Sequence, residues 1–318
     1  MSEAVTVSAL WRGWRDQLSQ RGFATATLDA KILVGHALGF DTLQLAVRES
    51  ELVSSLLTST VTELMQRRLS GESVARIVGH KEFYGLDFAL NEATLEPRPD
   101  TELLVDLALK ALPVGGRFVD LGTGSGCIPI SVLVNRPDAS GVASDINPRA
   151  LQMAGRNAER NGVSGRLEFL QGDWFGALAE RPRHPNRIRN RAFGELRADP
   201  GSRPGQALSP EGRGEEGFDL ILSNPPYISS EIVETLSPEV KNFDPRLALD
   251  GGPDGLGPYR IIAAEAAGWL KAGGAVLVEI GYDQGAAVSA LFAGAGFERI
   301  SVEKDLAGLD RVVSAHHI

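Results

Sequence analysis

The chain has 318 residues, of which 43% are apolar and 23% charged. This is an ordinary globular composition, and the length is enough for two domains. Its 41 acidic and 32 basic residues give a net charge of −9, which argues against a surface built to hold nucleic acid. One cysteine, Cys127, excludes an internal disulfide framework, and no apolar run approaches the ~20 residues that span a bilayer.

The N-terminal region is predicted to be helical. Apolar residues recur at helical spacing, as in Leu10, Trp14 and Leu18, and a second such segment ends at Gly39. No strand-like alternation is visible here. We therefore expect a small helical bundle, and its pattern does not decide between a packing module and a module that recognises a protein substrate.

Residues 74–100 are expected to join this bundle to the rest of the chain. The aromatic, alternating run at 82–88 contains a glycine that could turn a hairpin. Two prolines then stiffen the chain, and Asp100 is the expected N-cap of a helix that runs to Leu109.

The remainder alternates short apolar strands with helical segments, which predicts a mostly parallel sheet covered on both faces. The predicted strands are 117–121, 140–145, 167–170, 218–223 and 275–279, with edge strands at 297–301 and 311–314. The predicted helices are 127–135, 148–161 and 259–270.

Residues 181–216 interrupt this alternation. They contain five prolines, five glycines and eight arginines, with almost no apolar periodicity. Such a composition does not bury enough surface to offset the entropy of ordering. We expect a disordered insertion; the alternative is a basic arm for RNA, against which five acidic residues count.

A glycine-rich loop follows the strand at 117–121. It consists of Gly122, Thr123, Gly124, Ser125 and Gly126. A loop that opens a helix at the carboxyl edge of a first strand lies where open α/β sheets bind nucleotides. Asp145, 23 residues after Gly122, has the expected place of a carboxylate that accepts from ribose hydroxyls.

The details of the loop narrow the choice of cofactor. Cys127 stands where the dinucleotide fingerprint needs a glycine, and no lysine follows Gly126 as in a phosphate-binding loop. A G-x-G-x-G loop preceded by an acid, here Asp120, looks like the S-adenosylmethionine loop of class I methyltransferases. That cofactor carries no phosphate and needs no basic residue.

Two further motifs follow predicted strands. Asp173 and Trp174 could hold the edge and face of an adenine, although a turn with a buried aromatic pair fits equally well. Asn224-Pro225-Pro226-Tyr227 directly follows the strand at 218–223.

Asn-Pro also begins ordinary turns, but two prolines make a stiff backbone with free carbonyls. With the side-chain oxygen of Asn224, these acceptors match the two hydrogens of an NH₂ group. Tyr227 offers an aromatic wall. This loop therefore predicts a site for a planar amino or amide nitrogen beside a methyl donor.

Together these segments resemble the bacterial release factor glutamine methyltransferases, the HemK-type protein-(glutamine-N5) methyltransferase family. The likeness covers most of 5–314 except 181–216, and PRPDTE is a more specific segment than Asn-Pro-Pro-Tyr, which DNA adenine methyltransferases share. Glu96 departs from it, since the family usually has an aliphatic residue there. The shared segments are EFYGL at 82–86, PRPDTE at 97–102, VDLGTGSG at 119–126, GDWF at 172–175, SNPPYI at 223–228, GGPDGLGPYR at 251–260 and KDLAGLDRVV at 304–313.

The resemblance implies a class I S-adenosylmethionine-dependent methyltransferase fold, a Rossmann-like α/β domain whose mostly parallel sheet has an antiparallel C-terminal edge. It implies that the loop 122–126 cradles the methionine part of the cofactor and that Asp145 holds the ribose. Trp174 faces the adenine, with Asp173 as a second candidate.

Asn224 is implied to meet both cofactor and substrate, and Pro225, Pro226 and Tyr227 to line the glutamine pocket. The implied substrate is the glutamine of the Gly-Gly-Gln loop on class I peptide chain release factors, and the implied role is in translation termination. The motif contains no strong base, so we expect Asn224, Pro225 and Tyr227 to act by positioning and electrostatics.

We therefore expect a substrate-recognising bundle at 1–73, a hairpin and linker at 74–100 and a catalytic domain at 101–318. We expect no metal site, no membrane, no direct nucleic-acid partner and a cytoplasmic location. Two alternatives remain open: a DNA or RNA amino methyltransferase with the same four-residue motif, and a non-catalytic binding protein with the same fold.

Overall fold

The computed structural model describes residues 5–179 and 217–318. The predicted disordered insertion, 181–216, lies outside the described residues. Within the described ranges, none of the helices combines the length and hydropathy needed to cross a bilayer.

The N-terminal part is a bundle of helices, as the apolar spacing predicts. Its core includes Leu18, Leu33, Val61 and Met65, all fully buried. The helices are α1 (Val7–Gln20), α2 (Ala26–Leu38), α3 (Thr42–Val47), α4 (Ser55–Leu69) and α5 (Val74–Val78).

A short strand pair corrects the purely helical expectation for this region. β1 (Val5–Thr6) pairs antiparallel with β2 (Leu52–Val53). Two residues per strand are too few to show an alternation in the sequence. The pair joins the start of α1 to the chain just before α4.

A buried ion pair ties two helices of the bundle together. The Nε of Arg68 on α4 donates to Oδ2 of Asp29 on α2 at 2.7 Å, and the two side chains are 6% and 5% exposed. The same guanidinium lies over the ring of Phe23, 4.3 Å from its centroid. Removing Asp29 would leave the buried Arg68 guanidinium with only the Glu72 carbonyl at 3.1 Å and the half-exposed carboxylate of Glu239 at 3.8 Å.

We therefore expect Asp29→Ala to lower the free energy of unfolding by about 3–5 kcal/mol. Asp16→Ala is the matched control, because Asp16 pairs with Arg15 at the surface and is 59% exposed. An exposed pair contributes about 1 kcal/mol or less. Urea unfolding followed by circular dichroism measures both, and equal losses would contradict the prediction.

The predicted hairpin is present between β3 (His80–Phe83) and β4 (Leu86–Ala89). Its turn residues, Tyr84 and Gly85, have φ of 53° and 72°, the left-handed values that a two-residue hairpin turn requires. The Tyr84 hydroxyl donates to Asp106 at 2.6 Å on α6 (Glu102–Ala111), which fastens the hairpin to the next element.

The predicted N-cap at Asp100 is wrong. A 3₁₀ turn at Pro99–Thr101 precedes α6, because Pro99 already has the backbone angle of a first helical position. Asp100 lies inside that turn, where its carboxylate pairs with Arg311 at 3.2 Å instead of capping the helix.

Glu96, the departure from the family pattern, is buried but has polar partners. It is 8% exposed. Its carboxylate accepts from the Ser73 hydroxyl at 2.7 Å and pairs with Lys81 at 3.1 Å. The acid thus ties the start of α5 to β3 where an aliphatic side chain would only pack.

The rest of the described chain forms a seven-stranded sheet in the order β10-β11-β9-β8-β5-β6-β7. The five strands from β9 to β7 run parallel, and β11 and β10 are antiparallel at the edge, which confirms the predicted fold class. The strands are β5 (Arg117–Leu121), β6 (Ser140–Asp145), β7 (Leu167–Gln171), β8 (Phe218–Ser223), β9 (Leu270–Glu279), β10 (Glu298–Lys304) and β11 (Asp310–His316).

Helices cover both faces of this sheet. Along β5, Phe118 enters one buried cluster while Val119 and Leu121 enter the other, as alternation in a doubly covered strand requires. The helices are α7 (Cys127–Asn135), α8 (Pro148–Arg160), α9 (Gly176–Ala179), α10 (Ser230–Val233), α11 (Pro238–Lys241), α12 (Gly257–Glu265) and α13 (Gly285–Gly294).

Three predicted boundaries near the C-terminus are wrong by three residues or more. α12 ends at Glu265 rather than at 270, β9 begins at Leu270 rather than at 275, and β10 ends at Lys304 rather than at 301. Leu270 pairs with Phe218 and Ala275 with Leu220, so β9 contains a bulge between them, where Gly273 has φ of 78°. Gly273 and Gly274, which fall between the predicted helix and the predicted strand, therefore lie inside β9.

Candidate active site

All four predicted site segments lie at the carboxyl edge of the parallel strands. The glycine loop follows β5, Asp145 ends β6, Trp174 follows β7 and Asn224 follows β8. Because β5 pairs with both β8 and β6, the glycine loop lies between the Asn224 loop and Asp145. The strand order reverses at β5, and this is where such sheets form a crevice.

The glycine loop needs its three glycines for its backbone. Gly122, Gly124 and Gly126 have φ of 74°, 55° and 80°, all in the left-handed region. An added Cβ at Gly126 would lie 2.9 Å from Ile130 and 3.1 Å from Ala154, so close packing also excludes a side chain there. At Gly122 and Gly124 an added Cβ meets nothing within 4 Å, so the loop borders open space.

Asp145 is anchored directly beside this loop. Its Oδ2 accepts from the backbone N–H of Gly124 at 2.9 Å, and its Oδ1 accepts from that of Asn147 at 2.8 Å. Burial raises the pKa of Asp145, and these backbone donors oppose the shift. A carboxylate has about four acceptor positions, so further acceptor capacity remains for a ligand.

Trp174 is held in an uncommon backbone conformation. Its φ is 44°, which is rare for a bulky residue and carries strain. The preceding Gly172 donates its N–H to the backbone carbonyl of Asp145 at 3.1 Å, so this segment lies next to the end of β6. The following Phe175 is buried and stacks on Trp269, which anchors the turn.

The Asn224 loop is held by side chains from neighbouring segments. The Ser223 hydroxyl donates to the Leu121 carbonyl at 2.7 Å, which ties the ends of β8 and β5. The Nδ2 of Asn224 donates to the hydroxyl of Thr101 at 3.2 Å. Gln284 donates to the backbone carbonyl of Tyr227 at 3.0 Å. The loop is therefore fixed on both sides of its prolines.

Tyr227 remains a neutral phenol in this setting. Burial raises its pKa to about 12, and the negative charge of Glu279 adds to the shift. The ring is neutral and half-buried, and its role as an aromatic wall stays a prediction.

Comparison with known proteins shows the family of this chain. Residues 9–79 match the PrmC N-terminal domain family, and residues 98–183 match the methyltransferase small domain family. A release factor glutamine methyltransferase from Agrobacterium fabrum is 41% identical, over 97% of this chain and 96% of that protein. One from Caulobacter vibrioides is 37% identical, over 97% of this chain and 96% of that protein.

The chain belongs to the release factor glutamine methyltransferase family. The expected family and the expected enzyme class, a methyltransferase, are thereby confirmed. A solved structure described as a protein-(glutamine-N5) methyltransferase (release factor-specific) from Alicyclobacillus acidocaldarius is also similar. It is 28% identical with a TM-score of 0.37, over 70% of this chain and 93% of that chain.

Several residues around this candidate site were not assigned from the sequence. Thr101, Glu279 and Arg311 lie on three different elements. Thr101 and Glu279 interact with Asn224, and the charges of Glu279 and Arg311 act on Tyr227. Gly251 and Gly255 lie so close to the backbone of the Asn224 loop that an added Cβ would be 2.6 Å or less from a carbonyl oxygen. For Thr101, Gly251, Gly255 and Arg311 the signal was the shared segments PRPDTE, GGPDGLGPYR and KDLAGLDRVV. Glu279 lies in none of them, and the sequence shows no contact between these residues.

Asp120 is the most deeply buried acid at the glycine loop. It is fully buried, and neither carboxyl oxygen has a hydrogen-bond partner among the described residues. Burial raises its pKa to about 7; the nearby Thr123 hydroxyl opposes the shift and the charge of Asp145 adds to it. Between about pH 4, the unfolded value, and pH 7, the folded protein retains a proton that the unfolded chain has lost.

The stability of the ligand-free protein should therefore fall as pH rises through that window. Because asparagine keeps an oxygen that can accept from the Thr123 hydroxyl, Asp120→Asn should be more stable than wild type at pH 8, with the difference shrinking towards pH 4. The slope attributable to this group is at most about 1.4 kcal/mol per pH unit. Urea unfolding from pH 4 to 8 measures it, with Asp16→Asn as the exposed control.

Glu279 continues to titrate in both proteins, so the test is the difference between the two curves. Parallel curves for wild type and Asp120→Asn across the whole range would contradict the assignment.

Proposed function

We propose that this methyltransferase transfers a methyl group from S-adenosyl-L-methionine to the side-chain amide nitrogen, N5, of a glutamine. The glutamine is that of the Gly-Gly-Gln motif of class I peptide chain release factors, and the reaction supports translation termination. The observation that carries the proposal is the pairing of β5 with β8, which puts the rigid Asn224 loop beside the glycine loop.

The chain's residues fit S-adenosylmethionine. Gly122 and Gly124 border open space next to the anchored carboxylate of Asp145, and the loop offers no basic residue, consistent with a ligand that has no phosphate. The proposed cofactor-binding residues are Gly122, Thr123, Gly124, Ser125, Gly126, Asp145, Trp174 and Asn224. When bound, the cofactor supplies an electrophilic methyl group on a sulfonium sulfur.

The chain's own contribution is positioning. An amide nitrogen is a poor nucleophile because its lone pair is shared with the carbonyl. Since Nδ2 of Asn224 is engaged by Thr101, its Oδ1 is the atom left to accept from a substrate NH₂ group. The Pro225 carbonyl is the proposed second acceptor, and Pro226 and Tyr227 line the pocket. Holding reactants in attack geometry can remove about 7–11 kcal/mol of a barrier.

The partner is proposed to be the release factor itself, recognised in part by the bundle at 1–73, with 74–100 as linker and 101–318 as the catalytic domain. The relatives named above carry release factors in their names and match this chain over nearly its full length. The net charge of −9 argues against direct nucleic-acid binding. A cytoplasmic location is part of the proposal, as protein synthesis takes place there.

Asn224→Ala should mainly lower turnover. Losing a well-placed hydrogen bond costs about 1–3 kcal/mol, and each 1.36 kcal/mol is about tenfold in rate. Misalignment of the nitrogen can add about another hundredfold. Mass spectrometry of release factor incubated with labelled S-adenosylmethionine measures the rate. Asn135→Ala, an exposed residue at the end of α7, is the control.

Substrate variants give the discriminating result. A release factor with Gly-Gly-Glu in place of Gly-Gly-Gln offers no NH₂ group and should take no methyl group. Adenine-rich duplex DNA should take none either. Robust methylation of either would overturn the proposed function, and an Asn224→Ala enzyme with full activity would overturn the proposed mechanism.

Asp145→Ala should weaken cofactor binding by at least about tenfold, because a hydrogen bond to a charged group contributes about 1.5–3 kcal/mol. Titration calorimetry with S-adenosylmethionine measures the affinity, and circular dichroism checks that the fold is intact. Asp16→Ala should bind like wild type. Unchanged affinity in Asp145→Ala would refute the ribose assignment.

A further inference from the structure

Glu279 is a buried acid beside the Asn224 loop. It ends β9 and is 1% exposed. β8 and β9 pair in parallel with Ser223 opposite Val278, so the residues that follow, Asn224 and Glu279, lie side by side. Its Oε2 has no hydrogen-bond partner among the described residues. A buried carboxylate with an unpaired oxygen lowers the stability of the folded protein, so its presence here calls for a functional reason.

Thr101 is hydrogen-bonded to Asn224 close to this acid. It is 2% exposed, and its hydroxyl oxygen accepts from Nδ2 of Asn224 at 3.2 Å. The Thr101 hydroxyl still has its own proton to donate. Burial raises the pKa of Glu279 to about 7, and hydrogen bonding by the Thr101 hydroxyl is the largest effect that opposes it. Hydrogen bonding by the Asn224 side chain opposes the shift too, to a smaller extent. Glu279 is therefore assigned as the acceptor of the Thr101 proton, with the NH₂ group of Asn224 as a second donor beside it.

The direction of this chain of hydrogen bonds matters because a carboxamide has nearly the same shape in its two flipped orientations. An ionised carboxylate can only accept, so Thr101 must donate to Glu279 and is left to accept from Asn224. Asn224 then turns its NH₂ group to Thr101 and Glu279, and its oxygen to the pocket. In the flipped orientation, its NH₂ would face the NH₂ of the glutamine, donor against donor.

We propose that Glu279 is a positioning residue for methyl transfer: by accepting from Thr101, it sets the orientation of the Asn224 carboxamide so that Oδ1 faces the substrate nitrogen. The proposal rests on the proposed function of Asn224. It gives a reason for an acid to be buried at this place, since a neutral side chain there would not impose one direction on the hydrogen bonds that link it to Asn224.

The surroundings of Glu279 decide where it titrates. Arg311 of β11 lowers its pKa by charge and Asp100 raises it, both less than burial does. Arg311 is itself neutralised by Asp305 at 3.0 Å and Asp100 at 3.2 Å. The other titratable groups that it faces have pKa values raised by burial and stay neutral near pH 7; they are Tyr227, Tyr259 and Cys127.

Below about pH 7, Glu279 gains a proton and can donate to Thr101. Thr101 can then donate to Oδ1 of a flipped Asn224, and the acceptor for the substrate is lost. The turnover number of wild type is therefore expected to fall as the pH falls through the pKa of Glu279 in the enzyme–substrate complex, which is the state that kcat reports.

The test compares wild type with Glu279→Gln from pH 6 to 8.5. Glutamine can donate or accept, so it does not impose the direction. At pH 8, kcat should fall about ten- to hundredfold, the rate equivalent of one hydrogen bond to a charged group, with KM for the release factor nearly unchanged. The fall of kcat towards pH 6 should disappear. Glu265→Gln, the same change on the exposed side of α12, should behave as wild type.

A pair of variants at Thr101 keeps the proposal testable if Glu279→Gln does not fold. Thr101→Val removes the hydroxyl at nearly constant volume and should lower kcat as Glu279→Gln does. Thr101→Ser restores the hydroxyl and should recover most of that loss. Equal kcat in the two Thr101 variants would overturn the proposal, as would a Glu279→Gln enzyme with the kcat and pH profile of wild type.

A measurement without release factor separates this proposal from the proposed function. The side-chain amide signals of Asn224 in a ¹H–¹⁵N spectrum, assigned by their absence in Asn224→Ala, should shift between pH 8 and 6 in wild type and not in Glu279→Gln. If wild type shows this shift but methylates no release factor, the proposed function fails and the orienting role stands. Methylation without any such shift overturns the orienting role alone.

Discussion

The parallel pairing of β5 with β6 on one side and β8 on the other is the constraint on which the site depends. It brings Leu121, Ser144 and Ser223 into register, so that three loops leave the sheet at one edge. The backbone groups at that edge are satisfied locally: Gly122 and Thr123 donate to the Ser144 carbonyl, both at 2.9 Å. Because these backbone groups are paired, the buried edge holds the stiff loops without the free-energy cost of unpaired N–H and C=O groups.

The segment PRPDTE, at 97–102, connects that edge to the rest of the molecule. Its side chains reach one partner in each of three segments: Arg98 pairs with Asp244 at 2.8 Å, Asp100 with Arg311 at 3.2 Å, and Thr101 accepts from Asn224 at 3.2 Å. Arg76 of α5 shares Asp244 at 2.5 Å, which links the helical bundle to the same point. A single segment thereby couples bundle, sheet edge and Asn224 loop.

Much of the fold follows from local pattern. The ends of β5, β6, β8 and α7 fall where the sequence predicts them, because uninterrupted apolar strands and glycine stops leave little choice. Local pattern fails where small or mixed residues dominate. α13 is composed almost wholly of small and apolar residues, so its sequence shows no polar face. In α2 the buried face includes Ala30, Leu33 and Val34, while Leu28 is 58% exposed although it is apolar.

The sequence by itself determined the residue types of the site: three glycines for left-handed turns, an acid at the end of the next strand, and Asn-Pro-Pro-Tyr after a buried strand. Only the tertiary structure decided what surrounds them. Thr101 and Glu279 are 123 and 55 positions from Asn224 in the chain, and no local periodicity relates them. The charge and hydrogen-bond direction at Asn224 arise from strand register and burial, which are properties of the assembled sheet.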